Sequence, residues 1–351
     1  MSATVGAFVV SLDFELHWGV RDLWTVEQYR ANLLGARAAV PALLALFEEF
    51  GIHATWATVG LLFCESRDEM LAALPEGRPA YAAPGLAPYA ALAEVGENER
   101  DDPFHFAPSL VRRIADTPEQ EIGTHTFSHY YCLEPGQSVE EFRTDLESAC
   151  QVARAKIGRA PESIVFPRNQ MAAAHLAVCR DLGLVAYRGN PDHWAYRARR
   201  RAAAQSPVLR ALRLADAYAP LTGMHAGRGG ETPTLPVDVP ASRYLRPYAP
   251  ALRHLEPLRL RRITAELEHA AAAGAAFHLW WHPHDFGIHL GENLAFLRRI
   301  LARFARLRER DGMESLTMAE AARRLVNSPA RPGEHAPLPD AETLIERHAC
   351  R

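Results

Sequence analysis

The feature that most restricts the fold is an alternation. Short apolar, β-rich runs recur between stretches of helical periodicity along most of the chain. The runs fall at residues 7–15, 52–60, 121–124, 163–166, 184–188 and 275–280, and helical periodicity fills 25–50, 138–156, 172–182, 258–273 and 292–310. Capping boxes mark three helix starts, Thr25 with Gln28, Ser138 with Glu141 and Thr317 with Glu320, and Gly51 and Gly183 mark two ends. Strands separated by helices cannot pair as hairpins. They predict a parallel sheet or barrel of about seven strands. Two stretches interrupt the alternation, at about 64–107 and 189–250, and are expected to be insertions, the second a lid. Residues 1–326 are then expected to form one domain, and the polar, proline-containing stretch 327–351 a poorly anchored tail.

Composition narrows the function. The 351 residues carry 39 Lys+Arg against 42 Asp+Glu, so no global field favours nucleic acid. The one basic run, Arg197, Arg199, Arg200 and Arg201, reads better as a solvated face of a lid helix. Lys156 is the sole lysine and follows no glycine-rich loop, which argues against a phosphate-binding loop and a Schiff base. Five cysteines without a C-x-x-C pair argue against a disulfide framework and fit a reducing compartment. The first basic residue is Arg21, and no apolar run approaches the roughly 20 residues of a membrane span. A cytoplasmic protein is expected.

In parallel α/β folds chemistry gathers at the C-terminal ends of strands. Asp13 and Glu15 close the first run two positions apart, so both carboxylates point the same way; a solvated strand end is the plainer alternative. His125 and His129 follow another run. Four residues apart, they reach one ion if the chain turns helical there. Arg168 follows a third run and can hold a carboxylate or a surface partner. Asp192 follows a fourth. His282 ends the last, sharing a face with His278 and Trp280, and is placed for proton transfer or for packing.

In this order, the set resembles the polysaccharide deacetylase family, also called NodB-homology or carbohydrate esterase 4-like. The resemblance is carried by Ser11-Leu12-Asp13-Phe14-Glu15, His125-Thr126-Phe127-Ser128-His129, Arg168, Asp192 with Trp194, and Leu279-Trp280-Trp281-His282. It implies a distorted (β/α) barrel and a deacetylase using one divalent metal ion, often zinc. Glu15, His125 and His129 would be ligands, Asp13 the base, Arg168 its holder and His282 the acid, oriented by Asp192. The first motif departs from adjacent aspartates and matches the D-x-E branch; the third departs because Arg168 follows Pro167. Tyr130, Trp280 and Trp281 are candidates to stack on a sugar. The expected substrate is an N-acylated sugar or saccharide intermediate of surface polysaccharide biosynthesis. The alternatives are an amidase or ureidase of the same fold and a non-catalytic carbohydrate-binding protein.

Overall fold

The computed structural model describes residues 5–197, 199–200, 206–227 and 234–327. The expected tail lies, beyond Asn327, outside the described residues, as does Arg201. Among the described residues nine strands share one sheet: β1 (Ala7–Phe14), β2 (Ala54–Thr58), β3 (Gln120–Thr124), β4 (Ser163–Ile164), β5 (Ala186–Tyr187), β6 (Val237–Asp238), β7 (Arg243–Tyr244), β8 (Ala276–Trp281) and β9 (Glu314–Leu316). Their order is β6-β5-β4-β3-β2-β1-β8-β7, with β9 also on β1, and every pairing is parallel. β1 is central and buried along its whole length. A strand covered on both faces reads as a nearly continuous apolar run, which is how it was legible.

The helices begin and end where local chemistry dictates. In α1 (Val26–Phe50), Thr25 and Gln28 form the expected capping box and Gly51 ends the helix at φ 60°. α2 (Arg67–Ala72) and α3 (Pro108–Asp116) follow, then α4 (Val139–Ile157), capped reciprocally by Ser138 and Glu141, and α5 (Ala173–Asp181). Beyond these lie α6 (Pro207–Asp216), α7 (Glu256–Ala273), α8 (Pro283–Phe286), α9 (Leu290–Asp311) and α10 (Met318–Asn327).

The stretch 189–250 is more than a lid, because it supplies β6 and β7. Strands of two residues carry no periodicity, so the sequence pattern could not reveal them. Val239 and Ala241 donate to Tyr187 and Gly189 on one edge of the sheet; Ser242 and Leu245 donate to His278 and Trp280 on the other. The two edges are thus neighbours, and the sheet curls into a distorted barrel. A buried ion cluster ties the stretch to α7: Arg243 joins Asp216 to Glu266, which also takes Arg262. Buried charges persist only when paired in this way. Of the arginine run, the described members Arg197, Arg199 and Arg200 lie outside any helix, and Arg199 and Arg200 donate to the backbone carbonyls of Trp194 and Leu133. The earlier interruption, 64–107, is fastened to the turn after β1 by a buried chain in which Asp102 meets His105 and His105 meets His17, each at 2.8 Å.

Candidate active site

Asp13 lies one residue before the end of β1 and Glu15 one residue after it, with 3% and 4% exposure. The solvated-strand-end alternative is therefore wrong. Ionised carboxylates at such depth need cationic or hydrogen-bonding partners, and each has its own set.

Glu15 faces two histidines, although the segment that carries them is no helix. Thr126 and His129 both adopt left-handed backbone, at φ 63° and 60°. Asp145 of α4 holds this loop, accepting from Phe127 N at 2.7 Å, from Ser128 N and from Ser128 Oγ. Burial pushes the Asp145 carboxyl up to about 6, against these hydrogen bonds. Thr126 Oγ1 accepts from Tyr130 N at 2.7 Å and closes the turn. The outcome is the convergence that the four-residue spacing suggested, reached through a strained loop. His125 Nδ1 is 2.7 Å from the Val165 carbonyl, which makes it the protonated nitrogen; His129 Nδ1 is 3.1 Å from the Tyr131 hydroxyl. Their Nε2 atoms lie 3.2 and 3.1 Å from Glu15 Oε2.

This donor set fits a divalent cation. One atom from each of Glu15, His125 and His129 lies within 4.8 Å of the others, and all three residues are buried. Burial lowers His129 to about 4, so its imidazole is neutral as a ligand must be. Burial works against charge on Glu15 as well, but His282 and the two histidines hold its carboxyl well below the usual range. Imidazoles anchored through Nδ1, with Nε2 left to face the carboxylate, are the arrangement that orients zinc-type ligands.

Arg188, not Arg168, holds Asp13. Its Nη1 and Nη2 donate to Asp13 Oδ1 and Oδ2 at 2.7 and 2.8 Å, a bidentate pair with Arg188 fully buried. Against burial, this guanidinium, with smaller help from His125, lowers the Asp13 carboxyl below its ordinary range. Arg168 instead pairs with Asp22 and stacks on the Tyr131 ring at 4.3 Å. It turns away because Arg168 and Asn169 are both left-handed, at φ 55° and 52°. That turn delivers Asn169 Oδ1 to Arg188 Nη2 at 3.0 Å. Arg188 directly follows β5, and its place at a strand end was the available signal.

His282 follows β8 and is partly exposed. Its Nε2 lies 3.7 Å from Asp13 Oδ2 and 3.8 Å from Glu15 Oε1. Asp285, not Asp192, orients it: Nδ1 is 2.8 Å from Asp285 Oδ2, which also accepts from the Tyr244 hydroxyl at 2.5 Å. Asp192 is exposed after β5, whereas Asp285 sits in α8 one turn beyond the histidine. Burial alone would lower His282, but Asp285 and Glu15 outweigh it and raise the imidazole to about 10. His284 is buried, with its ring parallel to that of His282 at 4.9 Å.

Of the aromatic candidates, Tyr130 and Trp281 are core residues at 1% and 0% exposure. Trp280 stays partly exposed and covers the Arg188 guanidinium at 4.1 Å. Trp24, half exposed, lies parallel to Tyr29 at 6.3 Å, and Tyr29 meets His284 edge-on.

A family profile described as polysaccharide deacetylase matches residues 32–187. The match spans somewhat less than half of the chain, which is similar to the polysaccharide deacetylase family over those residues. The fold agrees. A candidate polysaccharide deacetylase from Mycobacterium smegmatis superimposes with a TM-score of 0.60 at 15% identity, covering 95% of this chain and 96% of that one. A second, from Pseudomonas aeruginosa PAO1, gives 0.55 at 12% identity over 90% and 89% of the two chains. The PuuE allantoinase gives the same score, identity and coverage. No curated protein matches the sequence. Among the described residues no helix is long and apolar enough to cross a membrane.

Proposed function

We propose that this protein removes an N-acyl group, most simply acetyl, from an amino sugar or short saccharide, using one divalent ion held by Glu15, His125 and His129. The observation that carries the reading is the meeting of two separately anchored carboxylates, Asp13 on Arg188 and Glu15 on two imidazoles, with His282 less than 4 Å from both. A purely binding protein has no use for a clamped base facing a charged histidine.

The ion, zinc being the plainest choice for a His₂-carboxylate set, supplies Lewis acidity that polarises the acyl carbonyl and acidifies water. The rest belongs to this chain. Asp13 keeps both oxygens on Arg188, and each retains one free lone pair, so it can take the proton of the attacking water. A new carbon–oxygen bond forms, and the carbon–nitrogen bond then breaks. His282 Nε2, protonated with Asp285 behind it, delivers its proton to the leaving nitrogen. The amine and a carboxylic acid leave, and the proton on Asp13 restores His282.

The family supports a saccharide substrate; a nucleotide-linked, lipid-linked or short acetamido sugar made during surface polysaccharide synthesis is the specific form we favour. The allantoinase among similar folds keeps a small ureide as the second reading. The test is release of acetate from acetylated monosaccharides, sugar nucleotides and oligomers, beside allantoin turnover, with metal content measured on the same sample. Turnover of acetamido sugars without bound metal would refute the metal role; turnover of allantoin alone would favour the second reading.

A further inference from the structure

Beneath the Asp13–Arg188 pair lies a polar chain that none of the chemistry above uses. His278 is on β8, fully buried, four residues before His282. Its Nε2 is 2.8 Å from Ser11 Oγ and its Nδ1 is 3.0 Å from the Val239 carbonyl. Ser11 lies on β1 two residues before Asp13 and accepts from Arg188 Nη1 at 3.0 Å.

Elementary donor and acceptor rules fix every proton here. A guanidinium only donates. Ser11 Oγ therefore accepts from Arg188 and sends its one hydrogen to His278 Nε2. That nitrogen must be unprotonated, so Nδ1 carries the hydrogen and gives it to Val239. Burial, and then the nearby Arg188 charge, hold the imidazole down at about 3, in keeping with this neutral form. With the Asn169 contact, all four Nη hydrogens of Arg188 are spoken for: two on Asp13, one on Ser11 and one on Asn169. Trp280 closes one face of the guanidinium.

The geometry points to His278 as a positioning residue for the hydrolytic base, acting through Ser11 and Arg188. Its task is to draw the Ser11 hydrogen downward. Ser11 Oγ and Asp13 Oδ1 accept from the same Arg188 nitrogen. Without an acceptor beneath it, the hydroxyl is free to rotate, its lone pair leaves Arg188 Nη1, and the guanidinium loses one of the four contacts that fix its fork on Asp13. A buried polar pair kept only for stability would leave turnover of the folded protein unchanged.

This inference rests on the hydrolytic reading, and the experiment separates the two. In the full-length, metal-loaded protein, His278→Leu removes the acceptor at similar volume and His278→Gln restores one. We expect His278→Leu to lower kcat about tenfold, the size of one hydrogen bond to a charged group, with KM and metal content unchanged. His278→Gln should recover most of the loss, and Ser11→Ala added to His278→Leu should cost nothing more. Wild-type kcat in His278→Leu, a matching change in KM or metal content, or losses that multiply in the double variant would overturn it. Should His278→Leu fail to fold, His278→Gln and Ser11→Ala alone carry the test: near-wild-type turnover in the first and about tenfold loss in the second are expected, and wild-type turnover in Ser11→Ala overturns the inference. Nitrogen NMR of the arginine side chains reads the same device without turnover. Arg188 Nη hydrogens should be sharp in the wild type and broadened by exchange in Ser11→Ala; identical spectra also overturn the inference. If no N-acyl substrate is hydrolysed by the wild type, the functional reading falls while the spectra still decide the positioning role.

Discussion

The two ends of the barrel hold the same residue types to opposite effect. At the C-terminal ends of the strands, one carboxylate, Glu15, sits between imidazoles. At the N-terminal ends, one imidazole, His53, sits between carboxylates, 2.8 Å from Glu320 Oε2 and 3.4 Å from Glu119 Oε2. Both triads have the composition of a metal site. The lower one neutralises itself. Its histidine is raised above its ordinary value, chiefly by the Glu320 hydrogen bond, and Glu320 Oε2 is also committed to Thr317 N at 2.8 Å in the α10 capping box. In the upper one the second ring nitrogens are anchored elsewhere, to Val165 and Tyr131, so both Nε2 atoms point at one oxygen. Which atoms are already committed, not which residues are present, separates a ligand set from an ion pair.

The largest effect should follow loss of an upper ligand. His125→Ala or His129→Ala is expected to abolish stoichiometric metal binding, measured by elemental analysis, while Glu320→Gln leaves it unchanged. Equal losses would erase the distinction between the two ends.

Asp13→Asn should keep the ion and lose about 10²–10⁴ in kcat, the range for a missing general base. Loss of metal in that variant, with retention in Glu15→Gln, would exchange the two roles.

The next comparison is between two arginines. Arg188→Leu leaves a buried carboxylate without its partner and should cost about 3–5 kcal/mol in denaturant unfolding. Arg168→Leu should cost less, about 1–3 kcal/mol, since Arg168 is itself about a fifth exposed although its partner Asp22 is buried. Reversed magnitudes would mean that Arg168 is the structural clamp.

The smallest effect belongs to the lower end and depends on pH. His53 has a folded value above the unfolded one, so its pairing stabilises fully below about pH 6.5 and is lost as pH rises through the folded value. With His53 about a quarter exposed, the contribution is under about 1 kcal/mol. The gap in Tm between wild type and Glu320→Gln should shrink from pH 6 to pH 9, with no change in turnover; a constant gap would show that Glu320 acts only as a helix cap.

What the sequence made legible follows from range. The long strands and the capped helices declare themselves locally, as in β1 and in Thr25–Gln28. Asp13, Glu15, His125, His129 and His282 could be singled out because each lies at the end of a readable strand, and the structure brings them together. Arg188 and Asp285 were passed over although both adjoin the residues singled out. Choosing Arg188 over Arg168 requires knowing that Pro167-Arg168-Asn169 turns left-handed, and choosing Asp285 over Asp192 requires the one-turn helix α8. Those are tertiary facts with no periodic trace, as are the two-residue strands β6 and β7.

The central position of β1 governs when this molecule becomes competent during its manufacture. Its neighbour β2 comes early in the chain, but β9 completes that same side, β8 makes the whole of the other, and Ser11 meets His278 across 267 positions. Such distant parallel pairing forms slowly. A nascent chain emerging from the ribosome carries Glu15, His125 and His129 long before it has an acid, an Asp285 or a finished edge for β1. Until β8 arrives, Phe8, Val10 and Leu12 border an unpaired strand, a surface that invites association with other chains. Fragments ending before residue 276 should therefore be aggregation-prone as well as inactive, and hydrolytic competence should arrive in a single step with the last third of the chain.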